Sequence, residues 1–88
     1  MTSRGTADFW KSYHRLPTAI REAACEAFQK FLKNPAHPSL RLERLRSDGR
    51  AWSVRVTRDY RAAARRYQDN WLWFWIGSHK DFDRQFPK

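Results

Sequence analysis

The run Trp71-Leu72-Trp73-Phe74-Trp75-Ile76 constrains the chain more than any other stretch. Six large apolar residues in succession, between the turn-like Gln68-Asp69-Asn70 and Gly77, are too short and too aromatic for a helix. They read as a central strand covered on both faces. Strict alternation puts Trp71, Trp73 and Trp75 on one face and Leu72, Phe74 and Ile76 on the other. Left bare, either set would form an apolar patch of a size that soluble monomers rarely expose. One face is therefore expected to meet helices, and the other is a candidate binding surface. His79 follows just past the strand end, where Gly77 is expected to let the backbone turn and where polar chemistry is commonly placed.

The segments before this strand supply what must cover it. Met1 to Gly5 shows no pattern and is expected to fray. Thr6 is a candidate N-cap, and Phe9, Trp10, Tyr13 and Leu16 recur at helical spacing as far as Pro17. A second helix is expected from Pro17 or Thr18 to Lys33, with Ile20, Ala23, Ala24, Ala27, Phe28, Phe31 and Leu32 as its apolar stripe. Asn34-Pro35 ends it. After the connector Ala36-His37-Pro38-Ser39, the residues Leu40, Leu42 and Leu45 mark a short strand. Ser47-Asp48-Gly49 then turns the chain. Ala51 to Thr57 alternates, with Trp52, Val54 and Val56 on one side and Ser53, Arg55 and Thr57 on the other. Tyr60 to Tyr67 has helical propensity in its alanines, yet short turns bind it between two strand-like runs, so it is expected to be a strand. Phe82 and Phe86, four apart, are expected to fold a helical turn back on the sheet. The fold class is therefore α+β: two N-terminal helices on one face of a four-stranded antiparallel twisted sheet, with a short C-terminal helical turn.

A chain of 88 residues is expected to form a single domain over residues 1–88. One cysteine, Cys25, excludes a disulfide framework. It is read as a buried structural thiol in a cytoplasmic protein. No apolar stretch has the length of a membrane span, so no membrane partner is expected. Net charge is +9, carried by 13 Arg and 5 Lys, with the arginines concentrated between Arg41 and Arg66. That balance favours anionic partners, nucleic acid or an acidic protein, because the planar guanidinium fork matches phosphate oxygens.

With helices over Trp52, Val54 and Val56, the opposite face carries Arg55, Arg61 and Arg65 beside the tryptophan strand and His79. Cations flanked by aromatic rings can hold phosphates and stack bases together. The same arginines could instead serve ordinary ion pairs with Asp59, Glu43 or Asp69. His14 and His37, on a helix and in a proline loop, lack such a setting. A metal site from His79, Asp81 and Asp83 is disfavoured because it lacks a second histidine. No metal and no small-molecule cofactor is expected.

From Phe9 to Phe86, through NPAHPSL, WSVRVTRDYRAAAR and WFWIGSHKDFD, the chain resembles the RelE/ParE superfamily of bacterial toxins. The resemblance implies a twisted antiparallel sheet with helices on one face and a functional concave face opposite. It also implies a cognate antitoxin as partner. RelE-type members cut messenger RNA on the ribosome, and ParE-type members poison DNA gyrase without being nucleases. By position, the resemblance makes Arg55 a basic residue near the scissile phosphate, Arg61 a phosphate-binding arginine and His79 a proton-transfer residue. Ser53 stands where some members carry a catalytic lysine. Arg41, Arg65, Trp73, Trp75 and Phe82 complete the expected RNA-contact set. Three functions therefore compete: a ribosome-dependent endoribonuclease toxin, a gyrase-type poison, and a simple basic RNA-binding module.

Overall fold

The structure is a computed structural model and describes residues 2–87. Its elements are β1 (Thr2–Gly5), α1 (Ala7–His14), α2 (Thr18–Lys33), a 3-10 turn (Pro38–Leu40), β2 (Glu43–Arg44), β3 (Ala51–Thr57), β4 (Tyr60–Tyr67), β5 (Asn70–Ser78) and α3 (His79–Gln85). The α+β class holds, but the sheet has five strands in the order β1-β5-β4-β3-β2. The added strand is β1, which pairs parallel to β5. It replaces the frayed start expected over residues 1–5, of which Met1 lies outside the described residues. Its formation has a physical reason: β5 would otherwise present an open edge beneath the helices, and Thr2 to Gly5 fill that edge.

The helix boundaries follow local chemistry. Thr6 Oγ1 accepts a hydrogen bond from the Phe9 amide at 3.1 Å, which caps α1. Pro17 precedes α2, and Asn34 in an extended conformation stops it. The buried stripe of α2 is narrower than its sequence implies: Ala24, Ala27 and Phe31 are buried, Phe28 packs at the margin, and Leu32 is 54% exposed. Cys25, one residue past Ala24 and so turned about 100° from it, is exposed rather than buried. Its Sγ lies 3.1 Å from the Tyr13 hydroxyl. That contact, foremost, and then burial raise the Tyr13 pKa above its usual value.

Both helices sit on one face of the sheet. Phe31 meets Trp71 and Trp73 edge-on at 4.9 and 5.1 Å between ring centroids, and Phe28 meets Trp73 at 5.1 Å. Val54, Ala62, Ala64 and Ile76 complete this core, with Trp52 and Val56 packed against it. Small alanines on β4 let the helices approach the sheet while the tryptophans of β5 fill the remaining volume.

Alternation along β5 does not hold to its end. The pairing with β4 shifts register between Ala63 and Ala64: Ala64 lies opposite Trp73, and Ala63 lies opposite Trp75. Phe74 is therefore an extra residue, a β-bulge, and every side chain after it changes face. Ile76 joins Trp71 and Trp73 in the helix-side core, whereas Trp75 joins Phe74 on the opposite side. There α3 folds back: Trp75 lies 5.8 Å from Phe82 and 5.6 Å from Phe86, and Leu45 and Ala51 belong to the same cluster. Among the described residues, no helix is long and apolar enough to cross a membrane.

Candidate functional site

The face opposite the helices is built by three neighbouring strands and α3. Arg55 on β3 lies directly opposite Arg61 on β4, and Arg61 lies opposite Gly77 on β5. Cross-strand partners project from the same face, so the two arginines leave the sheet together where β5 runs into α3. The Arg58-Asp59 turn pairs Thr57 with Tyr60, and a register shift between Arg55 and Thr57 then brings Arg55 opposite Arg61.

Arg61 is fixed by the turn itself. Its Nη1 donates to the carbonyl oxygens of Thr57 at 2.7 Å, Tyr60 at 3.0 Å and Arg58 at 3.3 Å. Burial lowers its pKa, as do the nearby charges of Arg55 and Arg41, with Asp83 and Asp59 acting in the opposite direction. An arginine remains protonated under such pressure, so the cost falls on stability. Neither Arg55 nor Arg61 forms an ion pair with Asp59, Glu43 or Asp69 among the described residues.

Gly77 stays within β5, and no described glycine has a positive φ. Its function is spatial rather than conformational: a Cβ there would stand 2.9 Å from Cζ2 of Trp75. The indole lies across the glycine. Ser78 then caps α3, its hydroxyl accepting from the Asp81 amide at 3.1 Å. His79 is the first residue of α3, its amide donating to the Asp59 carbonyl at 2.7 Å. Its ring is about half exposed, with Nε2 3.5 Å from the Asp83 carboxylate one helical turn on. The charge of Asp83 also bears on Arg61, raising its pKa. In the sequence Asp83 enters only as a member of the disfavoured metal trio with His79 and Asp81. Its i,i+4 spacing from His79 was the available signal.

The remaining expected contact residues divide. Arg65 lies on the same face, but its Nε is 3.0 Å from Asp48 Oδ2 and its guanidinium covers the Phe74 ring at 4.4 Å. Asp48 is held below its usual carboxylate pKa, first by the Arg50 amide and then by Arg65. Arg41 is exposed at the end of the 3-10 turn and near enough to act on Arg61. Trp73 does not belong to this face: it is 4% exposed beneath the helices, with Nε1 donating to the Ser3 hydroxyl at 2.8 Å. Phe82 is 8% exposed, and Trp75 lies against it, so α3 occupies the aromatic surface expected to stack bases. Both corrections have one cause. A small domain commits its large rings to packing before it can offer them to a ligand. Ser53 is also buried, on β3 opposite Ala63. Among the described residues, no group of three His, Cys, Asp or Glu is arranged to hold a metal ion.

A small α+β domain with helices on one face of a five-stranded sheet is the fold of the RelE/ParE toxins. Residues 18–84 match the family model described as a ParE-like toxin domain, and the chain belongs to that family. A search of curated proteins finds no match to the chain. Solved structures share the fold at low identity. A YoeB/ParE toxin from Agrobacterium tumefaciens superposes with a TM-score of 0.72 at 19% identity, covering 90% of this chain and 99% of the other. The RelB-RelE antitoxin-toxin complex from Methanococcus jannaschii gives 0.71 at 16%, covering 94% and 98%. The isolated RelE toxin of E. coli gives 0.70 at 13%, covering 96% and 93%.

Proposed function

We propose that this single toxin domain is a ribosome-dependent, metal-independent endoribonuclease that cuts messenger RNA and is held inactive by a cognate antitoxin. The observation that carries this reading is the placement of His79 directly after β5, whose Gly77 pairs with Arg61 and through it with Arg55, with the His79 ring beside Asp83. The solved RelB-RelE complex supports an antitoxin partner by analogy of fold.

Cleavage of RNA without a metal needs a base to take the 2′-hydroxyl proton. The freed 2′-oxygen then attacks phosphorus, the bond to the 5′-oxygen breaks, and an acid protonates the leaving oxygen. His79 is suited to one of these proton steps, since an imidazole nitrogen can either accept or donate a proton. Asp83 is suited to orient the ring. Arg55, with the Nε and Nη2 donors of Arg61 left free by the turn, is suited to stabilise the charge that builds on phosphorus. The reading is tested by adding the protein to ribosomes programmed with a defined messenger RNA. His79→Ala is expected to keep the fold and ribosome binding but lose about 10² to 10⁴ in cleavage rate. Undiminished cleavage in that variant would remove the assignment.

A second reading is favoured by the family model, which is of the ParE-like kind. In that case the arginine face binds DNA gyrase and no RNA is cut. A supercoiling assay with purified gyrase separates the two: blocked supercoiling with intact messenger RNA selects the poison.

A further inference from the structure

A second cationic feature lies around the edge of β3 from the arginine pair. β2 pairs only with Trp52 and Ser53, so Val54 to Thr57 have no strand neighbour on that side. The gap is a cavity of about 450 Å³ between α2, the 3-10 turn and β3, lined among others by Lys30, Arg41, Arg55, Arg58 and Glu26. Four cations thus face one carboxylate. Among the described residues, none of the four cationic side chains makes an ion pair or donates a hydrogen bond to the protein.

Two features show that this crowding has a cost. The charges of Arg41 and Arg55 act together on Arg61, disfavouring its protonated form. Arg41 also has left-handed backbone, φ 47° and ψ 50°, a conformation glycine adopts freely and arginine does not. A glycine would ease that turn. What it cannot supply is a guanidinium, and strain retained at one residue points to a use for its side chain.

We infer that this cavity binds the sugar-phosphate backbone of single-stranded RNA, holding the strand on one side of the Arg55–Arg61 pair. The inference rests on the RNA reading above and names a second anchoring point for the same ligand. Phosphate is favoured over base because no aromatic side chain lines the cavity. It is favoured over an acidic peptide because the open β3 edge is only four residues long, bounded by α2 and the 3-10 turn. That space suits one or two phosphates better than an added strand. Arg55 borders both this cavity and the arginine pair, so a strand crossing β3 would meet continuous positive charge.

The test is fluorescence anisotropy with a labelled twelve-nucleotide oligouridylate, titrated at several salt concentrations. Lys30→Gln/Arg58→Gln removes two exposed cations, and Arg41→Gly removes a third while relaxing its turn. Circular dichroism checks that both variants fold. The double variant is expected to bind on the order of tenfold more weakly, with a salt slope shallower by about 1.4, at about 0.7 per lost phosphate contact. Arg41→Gly is expected to bind more weakly yet melt no lower than wild type. Wild-type affinity and slope in both variants would overturn the inference. So would an equal loss of binding to labelled polyglutamate, which would mark the cavity as an acidic-peptide site. Ribosome-programmed cleavage keeps the two proposals apart. Weakened RNA binding in the variants of a protein that cuts no RNA leaves the cavity standing and removes the nuclease, and the converse removes the cavity alone.

Discussion

Trp73 and Trp75 lie two positions apart on one strand, yet their rings are on opposite faces of the sheet. Trp73 packs beneath Phe28 and Phe31, and Trp75 packs against Phe82 and Phe86. The bulge at Phe74 makes this possible and divides the domain into a large core under the helices and a small one under α3. Trp73→Ala is expected to destabilise the whole domain by roughly 3–5 kcal/mol. Trp75→Ala is expected to release α3 first, so amide exchange should quicken over His79–Gln85 before it does over α2. Equal protection loss in both helices would show that the two cores open as one.

Gly77→Ala tests the same region from below. The added methyl would stand 2.9 to 3.0 Å from the Trp75 ring, itself wedged against Phe82 and Phe86. Overpacking of this kind costs about 1–3 kcal/mol. Urea denaturation should show that loss, with the main spectroscopic change in the tryptophan environment.

Arg55 and Arg61 should separate charge from architecture. Arg55 makes no protein ion pair among the described residues, whereas Arg61 ties together three carbonyls of the β3–β4 turn. Arg55→Gln is therefore expected to weaken RNA binding and flatten its salt dependence at wild-type melting temperature. Arg61→Gln should lower both binding and melting temperature. A fully stable Arg61→Gln protein would show that the turn does not need the clamp.

The Asp48 carboxylate predicts an acid dependence. Its pKa in the folded chain lies below the usual 3.8, because the Arg50 amide and Arg65 favour the charged form. Its contribution is thus fully present above 3.8 and is lost as pH falls through the lower folded value. Asp48→Asn should be less stable than wild type at neutral pH, and the gap between them should close in strongly acidic buffer. A gap independent of pH would assign the effect to the turn rather than to the charge.

Much of this fold is legible in the sequence because local signals and periodicity agree. Thr6, Pro17 and Asn34-Pro35 mark the helix ends, and Arg58-Asp59 marks the β3–β4 turn, although the register shift that sets Arg55 opposite Arg61 has no such signal. The bulge at Phe74 left no such mark. It arises from how β5 meets Ala63 and Ala64 on the neighbouring strand, so alternation read along β5 alone assigns Trp75 and Ile76 to the wrong faces. β1 is equally silent, since Thr2 to Gly5 have no apolar alternation and owe their order to a strand far along the chain. Around the candidate site, the sequence reveals which residues are cationic. It does not reveal which aromatic rings packing leaves free, and so Trp73 and Phe82 were misplaced. Lys30 lies outside the apolar stripe of α2 and carries no mark of function in the sequence, because only the missing strand beside Val54–Thr57 makes it a cavity wall.

The hydrogen bond from Trp73 to Ser3 joins positions 70 residues apart. During synthesis β1 leaves the ribosome before every other described element, and its partner β5 follows all the other strands. Contacts of such separation form late, because the intervening chain must be ordered before they can reward closure. Thr2 to Gly5 must therefore wait while the helices and the β3–β4 hairpin assemble. The sheet is completed only after Trp73 has emerged, which places a delay between the making of the arginine residues and the completion of the surface that presents them.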